Sequence, residues 1–242
     1  ASLVKELEAA GKRIKMIYTI DNFQNPAGPT LSLQRRKELL ALAKEHNIMV
    51  LEDDAYGELR WEGEQLPSLF ALDDAGLVAR TGTLSKILGA GVRVGWVIAP
   101  TSLVPYMSAF NFGGGVSPLT SRICLAYMNG NLEPHVDELR EIYKDKRDAM
   151  LETLTAGLAG TDASWNSPEG GFFIWLKLPT GTSQKKLWEL AMANSIAYVT
   201  GPAFYPAGGG EEYIRLAFSL ESPEAIREGT EILCKLIHQA RD

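Results

Sequence analysis

The sequence predicts an α/β protein: a mainly parallel sheet with helices, followed by a smaller α+β domain. Three observations carry that expectation. Short apolar runs alternate with segments of helical periodicity in the first half. Clusters of carboxylate, hydroxyl, lysine and glycine follow those runs directly, where parallel sheets present their ligand-binding ends. Beyond Gly130 the pattern changes to one long amphipathic helix, then short strands interleaved with helices. A boundary near Gly130 divides the chain into domains 1–130 and 131–242.

In chain order, residues 3–10 read as a helix stopped at Gly11. Residues 15–20 read as a strand, followed by the turn signal of Asn25, Pro26 and Gly28. Ser32 is an N-cap, Leu33, Leu39, Leu40 and Ala43 recur at helical spacing, and Asn47 suits the exit. Residues 48–51 are a continuous apolar run, as in a strand buried on both faces, with Asp53 and Asp54 just past it. Strands are expected at 78–82 and 92–99. Leu132, Val136, Leu139, Tyr143, Met150, Leu154 and Leu158 mark the long helix. Then come strand 172–178, helix 183–194, strands 197–200 and 213–218, and helix 223–240, which Pro223 behind Ser222 opens.

Composition narrows the function. The chain of 242 residues is 45% hydrophobic and 22% charged, which excludes a disordered, collagen-like or small disulfide-scaffold chain. A net charge of −6 argues against a general binder of nucleic acid or anionic membranes. No apolar run is long enough to span a bilayer and no signal peptide opens the chain, so a cytoplasmic location is expected. Cys124 and Cys234 lack metal-ligand or CxxC spacing and read as buried thiols. His46, His135 and His238 lie in polar helical stretches, so no metal site is expected.

Four clusters carry chemistry. Asn25-Pro26-Ala27-Gly28 is by itself a turn. Glu52-Asp53-Asp54-Ala55-Tyr56 follows a buried strand. Thr83-Leu84-Ser85-Lys86, followed by Gly89, Gly91, Arg93 and Gly95, sets a lysine beside hydroxyls and a glycine-rich turn, as a phosphate site requires. The glycines have the wrong spacing for a dinucleotide fingerprint, and a strand follows where a helix is needed. Arg215 stands inside the apolar run 213–218, where a guanidinium needs an anionic or structural partner.

In this order the clusters resemble the pyridoxal-phosphate-dependent aminotransferases of fold type I, class I/II. The flanking words Tyr18-Thr19-Ile20, Glu52 to Arg60 and Gly201-Pro202-Ala203-Phe204-Tyr205 look most like the branch of 2-aminoadipate and kynurenine aminotransferases. The resemblance implies that Lys86 holds pyridoxal 5'-phosphate as a Schiff base and that Asp53, not Asp54, faces the pyridine nitrogen. Tyr56 and Asn25 would donate to the ring phenolate oxygen, and Thr83, Ser85 and Arg93 would hold the phosphate. Arg215, with Asn25, would clamp the substrate carboxylate and would close over it from the second domain. The substrates would be an amino acid and a 2-oxo acid, with glutamate and 2-oxoglutarate the usual pair.

The resemblance also implies that the sheet is incomplete: the chain would be a fragment, a processed piece or one partner of a split enzyme, with an N-terminal segment or companion chain supplying the remainder. Such a chain is expected not to bind the cofactor tightly alone, and the complete enzyme to be a homodimer. Gly113-Gly114-Gly115 and Ser117-Pro118 read as a flexible polar stretch, either a dimer contact or a plain loop. Two other readings share these residues: a β-lyase using the same cofactor, and the sensor domain of a winged-helix regulator with an aminotransferase-like domain.

Overall fold

A computed structural model describes residues 2–111 and 113–241. They form two compact units. The first holds residues up to Asn22, Thr30–Glu58 and Gly63–Val136. The second holds Phe23–Pro29, Leu59–Glu62 and everything from Asp137 on. The last passage between units thus falls at Val136–Asp137 rather than at 130. Residues 23–29 and 59–62, expected in the first domain, belong to the second unit, where their hydrogen bonds lie. Trp61 N–H donates to Glu169 O at 3.0 Å, and Gly171 N–H donates to Leu59 O at 3.1 Å.

The first unit opens with helix α1 (Ser2–Ala9) and strand β1 (Met16–Thr19). Helix α2 (Leu33–His46) begins at Ser32, whose hydroxyl accepts from Arg35 N–H at 3.3 Å, and ends at Asn47 in left-handed conformation. Strand β2 (Met49–Asp54), helix α3 (Leu69–Leu72) and strand β3 (Val78–Thr83) follow. β1, β2 and β3 run parallel, with Val50, Val78, Ala43 and Leu69 buried between sheet and helices. Strand β4 (Gly95–Ile98) lies antiparallel to β3 and completes the order β1-β2-β3-β4. Helix α4 (Val104–Ala109) and helix α5 (Pro118–Gly157) come next.

Three sequence expectations change here. Asp53 and Asp54 lie inside β2 rather than beyond it. Pairing with β3 continues through Asp53↔Thr81 and Asp54↔Gly82, because Thr81 and Arg80 on β3 engage the two carboxylates. The fourth strand starts at Gly95 rather than Val92, since Ala90–Val92 coil into a 3-10 turn and Arg93 takes a left-handed φ of 53°. Ser117 and Pro118 are not a flexible stretch. The Ser117 hydroxyl accepts from Thr120 N–H at 3.4 Å, Pro118 opens α5, and that helix breaks at Asn129–Gly130, where Gly130 has φ 84°.

A buried polar network underlies the sheet of the first unit. Arg36, fully buried on α2, pairs with Asp21 and also donates to Asn22 Oδ1 at 2.7 Å and Pro67 O at 3.1 Å. Glu52, also fully buried, accepts from Leu69 N–H at 3.0 Å and Phe70 N–H at 2.9 Å, while Ser68 Oγ accepts from Ala71 N–H at 3.1 Å. The first three amides of α3 are thereby satisfied. Asp54 pairs with Arg80. Three carboxylates against two guanidiniums leave one negative charge in excess. Burial first, then the Glu52 and Asp54 charges outweighing Arg36, pushes Asp21 up to about 7.

In the second unit, strands β5 (Ser164–Trp165), β6 (Phe173–Lys177), β7 (Val199–Thr200) and β8 (Tyr213–Ala217) form an antiparallel sheet in the order β5-β6-β8-β7. Helix α6 (Gln184–Ala193) lies between β6 and β7 in sequence, and helix α7 (Pro223–Gln239) follows β8. Period-two alternation sends Ile174, Leu176, Ile214 and Leu216 into a core with Leu154, Leu187, Leu233 and Ile237. Each such aliphatic side chain contributes about 1.5–3 kcal/mol. The same alternation turns Phe173, Trp175, Tyr213 and Arg215 to the other face.

Cys124 and Cys234 are buried free thiols, and burial holds the latter up at about 11. Among the described residues no helix is long and apolar enough to cross a membrane.

Candidate active site

Within the first unit, the expected residues gather at the carboxyl ends of β2 and β3. Asp53 sits on the central strand β2. Its Oδ2 accepts from Tyr18 Oη at 2.6 Å and its Oδ1 from Thr81 Oγ1 at 3.1 Å. Partial burial and then the Asp53 carboxylate hold the Tyr18 hydroxyl well above the ordinary phenol range. Asp54 points to the opposite face, as alternation demands, and is engaged by Arg80, Asn22 Nδ2 at 3.1 Å and Gly57 N–H at 3.0 Å. This is the physical difference between two adjacent carboxylates that the sequence could separate only through a family pattern.

Tyr56 is buried, and the Lys86 ammonium lies 5.7 Å from its ring centroid, within cation–π range. Lys86 itself is half-buried in the turn after β3. Thr83 and Ser85 hydroxyls lie 3.0 Å apart, and Ser85 N–H donates to Thr83 Oγ1 at 3.1 Å. Arg93 is exposed and its Nη1 donates to Ala90 O at 3.3 Å. Gly82 is required here: a Cβ would come within 2.4 Å of the Trp96 indole on β4.

The remaining two residues meet in the second unit. Arg215 Nη1 donates to Asn25 Oδ1 at 2.7 Å, across 190 positions of sequence. The guanidinium carbon lies 4.1 Å from the Phe173 ring centroid and 5.1 Å from that of Phe204, so two rings fix its plane. Because the Asn25 oxygen accepts, its amide NH2 is the donating end. The Asn25 turn is fixed by Gly28 N–H to Gln24 O at 2.6 Å and Ala27 N–H to Gln24 Oε1 at 3.0 Å. Gly28 has φ 83°, and a Cβ there would strike the Asn166 amide at 2.2 Å.

Sequence reasoning missed Tyr18, Thr81, Phe173 and Phe204. The first two were findable, since polar residues on neighbouring strands that lie in register with an acidic residue, or two steps from it, share its face. The histidines serve the scaffold: His135 Nε2 lies 2.7 Å from Ile87 O and His238 Nε2 2.9 Å from Gly157 O. No group of three His, Cys, Asp or Glu able to hold a metal occurs among the described residues.

A parallel sheet with a lysine, a buried phenol and a doubly bonded carboxylate at its strand ends, in a chain that also carries an arginine–asparagine pair, defines a class of protein that comparison makes specific. The family described as Aminotransferase class I and II matches residues 1–233, and the chain belongs to it. It is 38% identical over 98% of its length to aromatic-amino-acid aminotransferase 1 of Thermococcus litoralis. The crystal structure of Pyrococcus horikoshii kynurenine aminotransferase, in complex with PMP, superposes with a TM-score of 0.92 at 39% identity, covering 98% of this chain and 59% of that one. LysN, the α-aminoadipate aminotransferase of Thermus thermophilus complexed with N-(5'-phosphopyridoxyl)-L-leucine, gives 0.88 at 32% identity, covering 98% and 62%. The fold is therefore that of fold type I aminotransferases. The chain spans 57% of the length of the Thermococcus relative.

Proposed function

We propose that this chain serves transfer of an amino group between an amino acid and a 2-oxo acid, dependent on pyridoxal 5'-phosphate. The observation that carries this is the grouping of Lys86, Tyr56 and Asp53, with the Thr83–Ser85 hydroxyl pair, in one unit of a chain that matches the family over nearly its whole length. The donor set suits the cofactor. Lys86 offers a primary amine for an aldehyde, Asp53 an oriented carboxylate for a ring N–H, and Tyr56 a phenol for the ring oxygen. Thr83, Ser85 and Arg93 offer hydroxyls and a guanidinium for a phosphate. When bound, the cofactor supplies an electron sink for charge that develops on the substrate α-carbon.

The chain's own residues do the rest. Lys86 Nζ takes and returns the proton at the substrate α-carbon, a general acid–base role for which its reach from the turn after β3 suits it. Asp53 holds a proton on the ring nitrogen by its negative charge. In the second unit, the Arg215 guanidinium, held in place between Phe173 and Phe204, receives a carboxylate through paired N–H donors. Asn25 orients it. We propose further that the working protein is a cytoplasmic homodimer. Exposed Trp96, Tyr106, Phe110, Leu119, Ile123 and Leu125 support a covering partner.

The test is spectroscopic. Adding pyridoxal 5'-phosphate to the chain joined with the N-terminal segment or companion chain that the family resemblance implies should produce a visible absorbance band that borohydride reduction fixes on Lys86, as peptide mapping reads. Lys86→Ala should lose both the band and turnover. Full turnover in that variant would overturn the assignment.

A further inference from the structure

Asp53 does not stand alone. It is the middle member of a row of three side chains on one sheet face: Tyr18 from β1, Asp53 from β2 and Thr81 from β3. Parallel register sets Thr81 directly opposite Asp53 and Tyr18 opposite Leu51, two residues back on the same face. Each carboxylate oxygen receives one hydroxyl, at 2.6 Å from Tyr18 and 3.1 Å from Thr81. The Tyr18 side is the tighter contact, in the range of a charge-assisted bond. The tyrosine is 55% exposed. Its hydroxyl could be satisfied by water, yet it turns to the carboxylate.

We propose that Tyr18, seconded by Thr81, is a positioning residue that fixes the Asp53 carboxylate and keeps the proton it shares with the cofactor ring on the ring nitrogen. This rests on the cofactor reading of Asp53 and goes beyond it. A hydroxyl that donates to a carboxylate stabilises its anionic form. With charge drawn toward Tyr18 and Thr81, less remains to pull the proton across from nitrogen, and the ring retains the positive charge that makes it an electron sink. The two bonds also hold the carboxylate plane, one from each neighbouring strand, so its remaining lone pairs keep a fixed aim. Asp54, bound to Arg80 and facing the other way, cannot substitute.

The test uses the chain joined with the N-terminal segment or companion chain that the family resemblance implies, and pyridoxamine 5'-phosphate labelled with 15N in the ring. This form has no aldehyde, so its binding needs no bond to Lys86. In the wild-type protein the bound ring nitrogen should show the upfield resonance of a pyridinium. Tyr18→Phe should move it downfield, toward neutral pyridine, and Thr81→Val should move it the same way by a smaller amount. The double variant should move it furthest, and Thr81→Ser should restore the wild-type position. Amide spectra confirm that each variant is folded, and Thr81→Val carries the test if Tyr18→Phe is not. A purely structural role would leave the nitrogen shift in place. If Asp53→Asn moves the resonance while Tyr18→Phe and Thr81→Val do not, the role of Tyr18 is refuted and the cofactor reading stands. If the wild type does not bind the probe, or Asp53→Asn leaves the shift unchanged, the cofactor reading of Asp53 falls and this inference with it.

Discussion

Glu52→Gln should loosen helix α3 without touching the residues proposed to hold the cofactor. Glu52 is fully buried and caps two amides with its two oxygens. Glutamine keeps one acceptor, now neutral, and presents an NH2 group to the other N–H. The lost charge assistance costs about 1 kcal/mol, and the orphaned buried N–H about 1–3 kcal/mol. Removing a negative charge beside Asp21 and Asp54 offsets about 1 kcal/mol. The net is about 1–3 kcal/mol, or about 5- to 150-fold faster opening. Native-state hydrogen exchange reads this at the Leu69 and Phe70 amides, while Ile174 and Ile214 in the second unit should keep their protection. Exchange at Leu69 and Phe70 within twofold of wild type would refute the capping role.

Asp21 supplies a pH signature. Its folded-state pKa is raised, so its contribution to stability is complete below about 4 and is lost as pH rises through about 7. Asp21→Asn removes that loss, so urea denaturation across pH 4–8 should show the variant gaining on wild type as pH increases. A constant difference would refute it. Arg215→Ala should raise the substrate KM by about 10²-fold, from about 3 kcal/mol of lost charged hydrogen bonding, with little change in the pyridoxal absorbance. Asp53→Asn should retain cofactor and lower kcat by at least about 10²-fold, read by steady-state assay.

Much of the fold was legible because local signals agreed with tertiary demand. Ser32 and Asn47 bracket α2, and Ser222 with Pro223 opens α7, since caps satisfy backbone groups wherever the helix sits. The end of β2 was not legible: three consecutive acids suggest a turn, and only Arg80, Tyr18 and Thr81 from other strands make a strand tolerable there. The helical half of α5 before Gly130 was hidden behind glycines and Ser117-Pro118. In the site, Lys86 stood out beside hydroxyls and a glycine-rich turn, and Arg215 because a lone cation in an apolar run is costly. The aromatic pair holding Arg215 did not, because Phe173 and Phe204 look like core.

The two compact units are stitched from interleaved stretches of one polypeptide: the backbone visits the second at 23–29 and again at 59–62 before settling there at 137. No single cleavage can therefore release either unit intact. A truncation beginning at residue 137 would discard Asn25, the partner of Arg215, and Glu62, whose oxygens meet Arg147 at 2.7 and 3.0 Å. Any attempt to recombine this chain with its relatives by swapping contiguous halves inherits the same obstacle, and would have to transplant two short loops along with the tail.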